Sequence, residues 1–193
     1  QNFLLDAILD HKLTRQMYLR RLRTLIDTYL SGDYAYFRAT IDRRLTLIRQ
    51  DALEDAKKWG TGNVISGTNT IKDNALTLRR RELLETFGKD LIPRSKRDGL
   101  KLLIGDVEAT PMNPKAEYFQ IINPNDEAID LSGWRIGGAV NFEFPSGTVI
   151  PKKGTLFQPD DGIMHVVKDV RTFRDRSENP RGNLGLFFVG PYD

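Results

Sequence analysis

The chain has 193 residues, of which 39% are hydrophobic and 28% are charged, a composition typical of a globular protein. It contains no cysteine, which excludes disulfides, thiolate chemistry and zinc–sulfur sites. No run of about 18 apolar residues occurs, so no transmembrane helix is expected. The chain begins at Gln1 without a signal-peptide pattern, so we expect a processed or partial chain.

The two halves of the chain differ in charge. Residues 1–99 carry 19 Lys and Arg against 13 Asp and Glu, a balance of +6. Residues 100–193 carry 10 against 13, a balance of −3. This asymmetry predicts a domain boundary near residue 100. The positive balance of the first half permits an anionic partner without requiring one.

The first part of the chain has helical periodicity. Residues 2–9 predict a short apolar helix capped by Asn2. Two longer helices follow, joined by a turn at Ser31-Gly32-Asp33, and together they predict an antiparallel hairpin that ends at Gly60. Their apolar residues recur at intervals of three and four, which defines one stripe on each helix. The first stripe comprises Tyr18, Leu22, Leu25, Ile26 and Tyr29, and the second comprises Phe37, Ile41, Leu45, Ile48 and Ala52.

A loop, a third helix and a linker are expected next. Residues 60–69 are rich in Gly, Thr, Ser and Asn, and they lack the Lys-Ser/Thr pair of a phosphate loop, so they predict a plain connection. The third helix should run from Thr70 to about Phe87 or Lys89. Residues 93–100 are basic and bounded by Pro and Gly, which is typical of a linker. The third helix is expected to bury Leu76, Leu83 and Phe87.

Basic residues in the third helix and the linker are the candidate contacts for an anionic partner. Three consecutive residues spread over about 300° of a helix, so the helical arginines do not form one patch by themselves. Ion pairs with Glu82 or Glu85 on a solvated helix are the alternative interpretation. The candidates are Arg79, Arg80, Arg81, Arg94, Lys96 and Arg97.

The second half of the chain has short alternating runs with turn signals about every ten residues, which predicts an antiparallel β-sandwich. Its first strand is expected at 101–109, and its central stretch at Glu117–Ile136. Further strands are expected at 142–144, 156–157 and 184–189, with a weakly patterned segment at 158–182. We expect Ile122, Trp134 and Phe144 to share the interior.

An ordered series of motifs in this half resembles the lamin-tail domain. The family is an immunoglobulin-like β-sandwich found in nuclear lamins and in bacterial secreted proteins. The resemblance covers about residues 102–190, and it implies an accessory or binding module of a bacterial extracellular or cell-surface protein. The family usually adds a strand or two after position 193. The motifs are Glu117-Tyr118, Ile122-Asn123-Pro124, Asp130-Leu131-Ser132-Gly133-Trp134, Phe144-Pro145-Ser146-Gly147-Thr148 and Ile150-Pro151.

The helices resemble the C-terminal helices of CotH kinase-like domains, which often precede lamin-tail modules. The resemblance implies that nucleotide- and metal-binding residues would lie upstream of this chain, so we assign it no catalytic, cofactor or metal residue. The matching segments are Tyr18-Leu19, Leu22, Leu25-Ile26, Ile41-Asp42, Leu47-Ile48-Arg49 and Arg79–Leu84.

No catalytic constellation is recognisable. His11 is expected in a helix connection and His165 in a loop, and neither has ligands or triad partners at usable spacing. Asp160-Asp161-Gly162 lacks the pattern of a calcium loop, which favours an ordinary turn. A set of carboxylates on neighbouring strands has no fixed separation, so hydrolysis is not predicted: Asp106, Glu108 and Glu117.

The sequence thus predicts an α+β chain of two domains: a helical segment at 1–92, a linker at 93–100 and a lamin-tail-like sandwich at 101–193. The first functional hypothesis is a non-catalytic interaction or structural module without a cofactor. Its partner would be a protein, a cell-surface polymer or an upstream domain of the same polypeptide. One alternative is the C-terminal part of a CotH-like kinase. Another is nucleic-acid binding through the basic helices and the linker, which the acidic second half disfavours.

Overall fold

The computed structural model describes residues 2–96, 98–155, 161–175 and 187–192, and it is a mixed structure of helices and short strands. The chain divides into two compact units. The first, here the β unit, comprises Gln1–Arg21 and Lys96–Asp193, and the second, the helical unit, comprises Leu22–Ser95. The first 21 residues, which the sequence grouped with the helical segment 1–92, therefore belong with the strands. Within the described ranges, no helix has the length and hydropathy that crossing a membrane requires.

The described α-helices are α1 (Phe3–Asp10), α2 (Lys12–Tyr29), α3 (Ala35–Trp59), α4 (Val64–Thr70), α5 (Leu76–Arg81) and α6 (Val170–Arg174). The three predicted N-terminal helices are confirmed, and Asn2 caps α1 by accepting the Leu5 N–H at 3.2 Å. The turn predicted between α2 and α3 is also confirmed. Asp33 accepts hydrogen bonds from the Ala35 N–H at 3.2 Å and the Ser31 hydroxyl at 3.0 Å. Both bonds lower the pKa of Asp33, and the bond from the Ala35 N–H has the larger effect.

The predicted loop at 60–69 is wrong over most of its length, because α4 occupies Val64–Thr70. Asn63 caps this helix, and its Oδ1 accepts the Ile65 N–H at 2.8 Å. The Ser66 hydroxyl donates to the Asn63 carbonyl at 3.0 Å. Small polar residues can thus support a helix when their hydroxyls bond to its backbone, although the same residues favour turns in isolation.

The helix predicted from Thr70 to about Phe87 or Lys89 is confirmed as a run of helical turns. In this run α5 is flanked by two π-helical segments, Ile71–Ala75 and Glu82–Thr86. The predicted burial of Phe87 is wrong, since its side chain is 75% exposed. The helix ends at Thr86, so Phe87 lies past the face that packs. Leu76 and Leu83 are half-buried.

The described strands are β1 (Leu103–Glu108), β2 (Tyr118–Ile122), β3 (Ile129–Asp130), β4 (Arg135–Ile136), β5 (Phe142–Glu143), β6 (Val149–Ile150), β7 (Ile163–Val167) and β8 (Phe187–Val189). Four of them form a sheet in the order β1-β2-β7-β8. The first two pairings are antiparallel and the pairing of β7 with β8 is parallel. Two further antiparallel pairs, β3 with β6 and β4 with β5, complete the described strands.

One face of the sheet and the paired short strands enclose the core of the β unit. The buried members of this core are Phe119, Ile121, Ile129, Leu131, Phe144, Ile150, Met164, Val166 and Tyr192. Of the residues expected in the interior, Phe144 is buried and Trp134 packs against the cluster. Ile122 lies on the opposite face of β2, because side chains alternate along a strand and Ile121 already points inward.

The sequence missed β7, which lies within the weakly patterned segment 158–182 and contains His165. The expected loop position of His165 is therefore wrong. β7 pairs with β2 on one side and β8 on the other, and four of its five residues are buried. A strand buried on both faces does not alternate between apolar and polar residues, so its period-two signal is absent. The strand expected at 156–157 and the start of 184–189 lie outside the described residues.

Candidate functional site

The three consecutive arginines of α5 point in different directions, as expected for neighbouring helical positions. Arg79 is 65% exposed and forms an ion pair with Glu82 at 3.6 Å, the intrahelical pairing that the sequence offered. Arg80 is half-buried and donates from Nη1 to the Leu30 carbonyl at 3.3 Å. Arg81 is exposed. The structure does not gather the three guanidinium groups into one anion site.

The basic residues of the linker are divided between the two units. Arg94 is exposed and belongs to the helical unit. Lys96 belongs to the β unit, where its Nζ lies 4.2 Å from the centroid of the Trp134 ring, within the range of a cation–π contact. Arg97 lies outside the described residues. Within the helical unit, Arg23 donates to the Pro93 carbonyl at 3.2 Å, so the start of the linker is fastened to α2.

The two histidines occupy different environments. His11 is exposed at the C-terminal cap of α1, whereas His165 is 6% exposed in β7. In the part of the chain that the structure describes, no three His, Asp or Glu side chains converge in a way that could hold a metal ion. Asp160 lies outside that part, while Asp161 and Gly162 form a turn before β7.

Of the carboxylates considered for hydrolysis, Asp106 and Glu108 lie on β1, and Glu117 immediately precedes β2. Glu117 forms an ion pair with Lys168 at 2.9 Å. Burial, and then the charge and hydrogen bond of Glu117, raise the pKa of Tyr192. The Glu117 carboxylate is therefore engaged in contacts that tie the ends of strands together.

Two arginines in the middle of α2, both assigned to the β unit, form ion pairs within that unit. Arg20 pairs with Glu127 at 2.7 Å, and its side chain is only 4% exposed. Arg21 donates to Asp130 at 3.0 Å and to Ser146 at 2.9 Å. Sequence reasoning missed this interface, because these arginines lie off the apolar stripe and such positions are usually solvated. The opposite charge balances of the two halves were the available signal.

In the helical unit, α3 presents apolar side chains to solvent. It is 25 residues long, yet none of its residues is buried. Leu47 is 78% exposed, Ile48 is 53% exposed and Trp59 is 67% exposed. Lys58 lies with its Nζ 4.8 Å from the centroid of the Trp59 ring. Exposed apolar side chains on one helix make it a candidate interaction surface.

Some residues along the predicted stripe of α3 are exposed, although other members of the stripe, including Ala52 in the second half of the helix, are half-buried. Phe37, Ile41 and Leu45 are half-buried in the first half of the helix. Ile48 falls on the same stripe, and Trp59 follows it after about three further turns. We name Ile48 and Trp59, with Leu47 beside them, the α3 surface. The α3 surface is the candidate functional site, and of its three residues only Ile48 belongs to the predicted stripe.

In comparisons with known proteins, no protein-family model, no curated protein and no solved structure matches the chain. The resemblances to lamin-tail and CotH-like domains therefore stay predictions.

Proposed function

We propose that this chain is a non-catalytic interaction or structural module, and that the α3 surface is its contact with another protein domain. One observation carries the proposal: α3 has 25 residues and an apolar stripe, yet none of its residues is buried and part of the stripe is exposed to solvent. An amphipathic helix gains most of its stability from packing its apolar face. A partner domain that covers Ile48 and Trp59 would supply that packing.

The partner that fits best is a preceding domain of the same polypeptide. Burial of apolar surface stabilises a contact by about 25 cal/mol per Å², so covering three large side chains contributes several kcal/mol at most. A contact of that size suits two domains held on one chain, since the tether raises their effective concentration. The proposal agrees with the resemblance of the helices to the end of a CotH-like domain.

The filled interior of the β unit also supports a non-catalytic module. Its core side chains fill the space between the sheet and the paired short strands. We propose that this unit is an immunoglobulin-like scaffold of the lamin-tail type in a bacterial exported or cell-surface protein. Such a scaffold recognises partners through its loops and edges, and it needs no reaction cleft.

Amide hydrogen exchange tests the α3 surface. The measurement compares this chain with a longer polypeptide that extends it at the amino end along its natural reading frame. We expect exchange at residues 47–59 to slow in the longer polypeptide, and the combined Ile48→Ser and Trp59→Ser substitutions to abolish that slowing. Arg43→Ala, on the polar side of α3, is the matched control and should leave it intact. Equal exchange in both polypeptides would refute the proposal.

Two direct assays separate the alternatives. ATP-dependent phosphotransfer by the longer polypeptide would favour a CotH-like kinase, and phosphotransfer by this chain alone would overturn the non-catalytic proposal. Binding of a DNA duplex that weakens steeply with salt, and is lost on Arg79→Glu and Arg81→Glu substitution, would favour nucleic-acid binding.

A further inference from the structure

A chain of hydrogen bonds crosses the sheet on the face opposite the core. The Asp106 N–H of β1 donates to Oε1 of Gln120 on β2 at 3.2 Å. Nε2 of Gln120 lies 3.2 Å from Nε2 of His165 on β7. Nδ1 of His165 lies 3.4 Å from the carbonyl oxygen of Phe187 on β8. One histidine therefore joins contacts that reach all four strands.

The two ends of this series of hydrogen bonds determine which ring nitrogen of His165 carries the proton. A backbone N–H only donates, so Gln120 must turn its oxygen to Asp106 and its NH₂ group to His165. Nε2 of His165 must then accept, and it carries no proton. The Phe187 carbonyl only accepts, so Nδ1 must carry the proton. The hydrogen-bond network thus specifies the neutral imidazole with its proton on Nδ1.

The link to β1 is attached at an irregular point of the sheet. The register between β1 and β2 shifts between Ile104 and Val107. At this bulge the Asp106 N–H bonds to a side chain, Gln120 Oε1. Edge strands with bulges depend on such local contacts, because the regular ladder is interrupted there.

Aromatic rings surround the buried imidazole. Tyr118 and Phe173 lie 5.4 Å and 5.1 Å from it, centroid to centroid. Phe173 in turn contacts Phe188 at 5.9 Å, and the Arg174 guanidinium lies 4.9 Å from the centroid of the Phe188 ring. The titratable and charged residues on the neighbouring elements are Tyr118 of β2, Arg171 and Arg174 of α6, and Asp106 and Glu108 of β1.

We propose that His165 is a pH-sensitive fastener of the four-stranded sheet, which holds the β1 bulge when neutral and releases it when protonated. A second proton on Nε2 would face the NH₂ group of Gln120, so two donors would oppose each other. Rotating the Gln120 amide would relieve that conflict but would break the bond to Asp106. Because the ring is buried, removing the charge from water adds a further cost.

The direction of the pH effect follows from linkage. A histidine in the unfolded chain takes up a proton below about pH 6.5, whereas this site in the folded chain resists protonation. The unfolded state therefore binds more protons as the pH falls, and stability decreases with it. One such site raises the unfolding equilibrium constant by at most about tenfold per pH unit.

Urea unfolding at pH 7.5 and 5.5 tests the fastener in the full chain. We expect the unfolding equilibrium constant to rise at pH 5.5, and His165→Gln to remove most of that rise. The chain has two histidines, so His11→Gln is the matched control and should keep it. Gln120→Glu supplies an acceptor for a protonated ring, so it should reduce or reverse the pH effect. The same pH effect in His165→Gln as in the native chain would overturn the proposal.

Long-range ¹⁵N NMR of the native chain gives an independent test that needs no variant. At pH 7.5 we expect the ring nitrogens of His165 to report a proton on Nδ1 only. At pH 5.5 we expect the protection factor of the Asp106 amide, which corrects for the slower intrinsic exchange at lower pH, to be smaller than at pH 7.5. A proton on Nε2 at pH 7.5, or an Asp106 protection factor that is the same at both pH values, would refute the mechanism.

Discussion

Arg21, in the middle of α2, forms an ion pair with Asp130 of β3. Nη1 of Arg21 lies 3.0 Å from Oδ2 of Asp130, and the Asp130 side chain is only 6% exposed. The other carboxylate oxygen accepts the Ser132 N–H at 3.0 Å. Arg21 also donates to Ser132 and Ser146, each at 2.9 Å. One guanidinium thus bridges the turn after β3 and the turn before β6.

Arg21→Ala should therefore destabilise the β unit by about 1–3 kcal/mol, because it removes a charged donor from a largely buried carboxylate. Urea denaturation followed by tryptophan fluorescence measures the change. Arg135→Ala is the matched control, since its pair with Glu143 is exposed on both sides and such pairs contribute about 1 kcal/mol or less. Equal losses in the two variants would contradict the bridging role of Arg21.

Asn123→Asp should destabilise the chain by about 3 kcal/mol or more. Asn123 is fully buried, and its Nδ2 donates to the carbonyls of Glu127 at 2.8 Å and Pro151 at 2.7 Å. A carboxylate there would face two carbonyl oxygens with no donor to offer. Asn141→Asp, at an exposed position, is the control and should change the unfolding free energy by about 0.5 kcal/mol or less. A small change at Asn123 would show that the loop rearranges at little cost.

Gly162→Ala should cost more than Gly133→Ala. Both glycines have positive φ, 83° and 72°, so both substitutions carry a similar backbone strain of about 1–2 kcal/mol. At Gly162 an added Cβ would lie 2.8 Å from the Lys152 carbonyl oxygen, whereas at Gly133 nothing lies within 4 Å. The difference between the two unfolding free energies isolates the clash, which we expect to exceed about 1 kcal/mol. No difference would show that the turn before β7 can shift.

The N-terminus of α6 should respond to acid. Oδ1 of Asp169 accepts the Thr172 N–H at 2.7 Å. This bond is the main cause that lowers the pKa of Asp169 below its ordinary value of 3.8. Because the folded-state pKa is depressed, the contribution of the cap is present above the ordinary pKa and is lost as the pH falls through the folded value.

The measurement for this cap is the pH titration of the Thr172 amide by NMR. Its midpoint should lie below 3.8, and the Asp169→Asn variant should abolish the transition while keeping the capping acceptor. A midpoint at or above 3.8 would contradict the lowered pKa.

Much of the local structure was predictable, for a physical reason. Asn2 as a cap, the stripes of α2 and α3, and the alternation along β2 are set by neighbours within a few residues. The predictions failed where distant groups decide. The run Ile163–Val167 becomes a strand because β2 and β8 pair with it, and Ile122 faces away from the core because Ile121 takes the inner side.

The candidate site was likewise predictable from the sequence only in part. Ile48 belongs to the predicted stripe of α3, whereas Leu47 and Trp59 do not, and only the fold shows that all three remain exposed.

Periodicity and capping alone specify which segments are helices and where the main turns fall, since these depend on short-range sterics and hydrogen bonds. Three-dimensional packing decided that residues 1–21 join the strands, that Arg21 meets Asp130, and that His165 is buried in a central strand. Contacts between groups more than a hundred residues apart leave no local pattern, because they form only once the chain has brought its charged and apolar surfaces together.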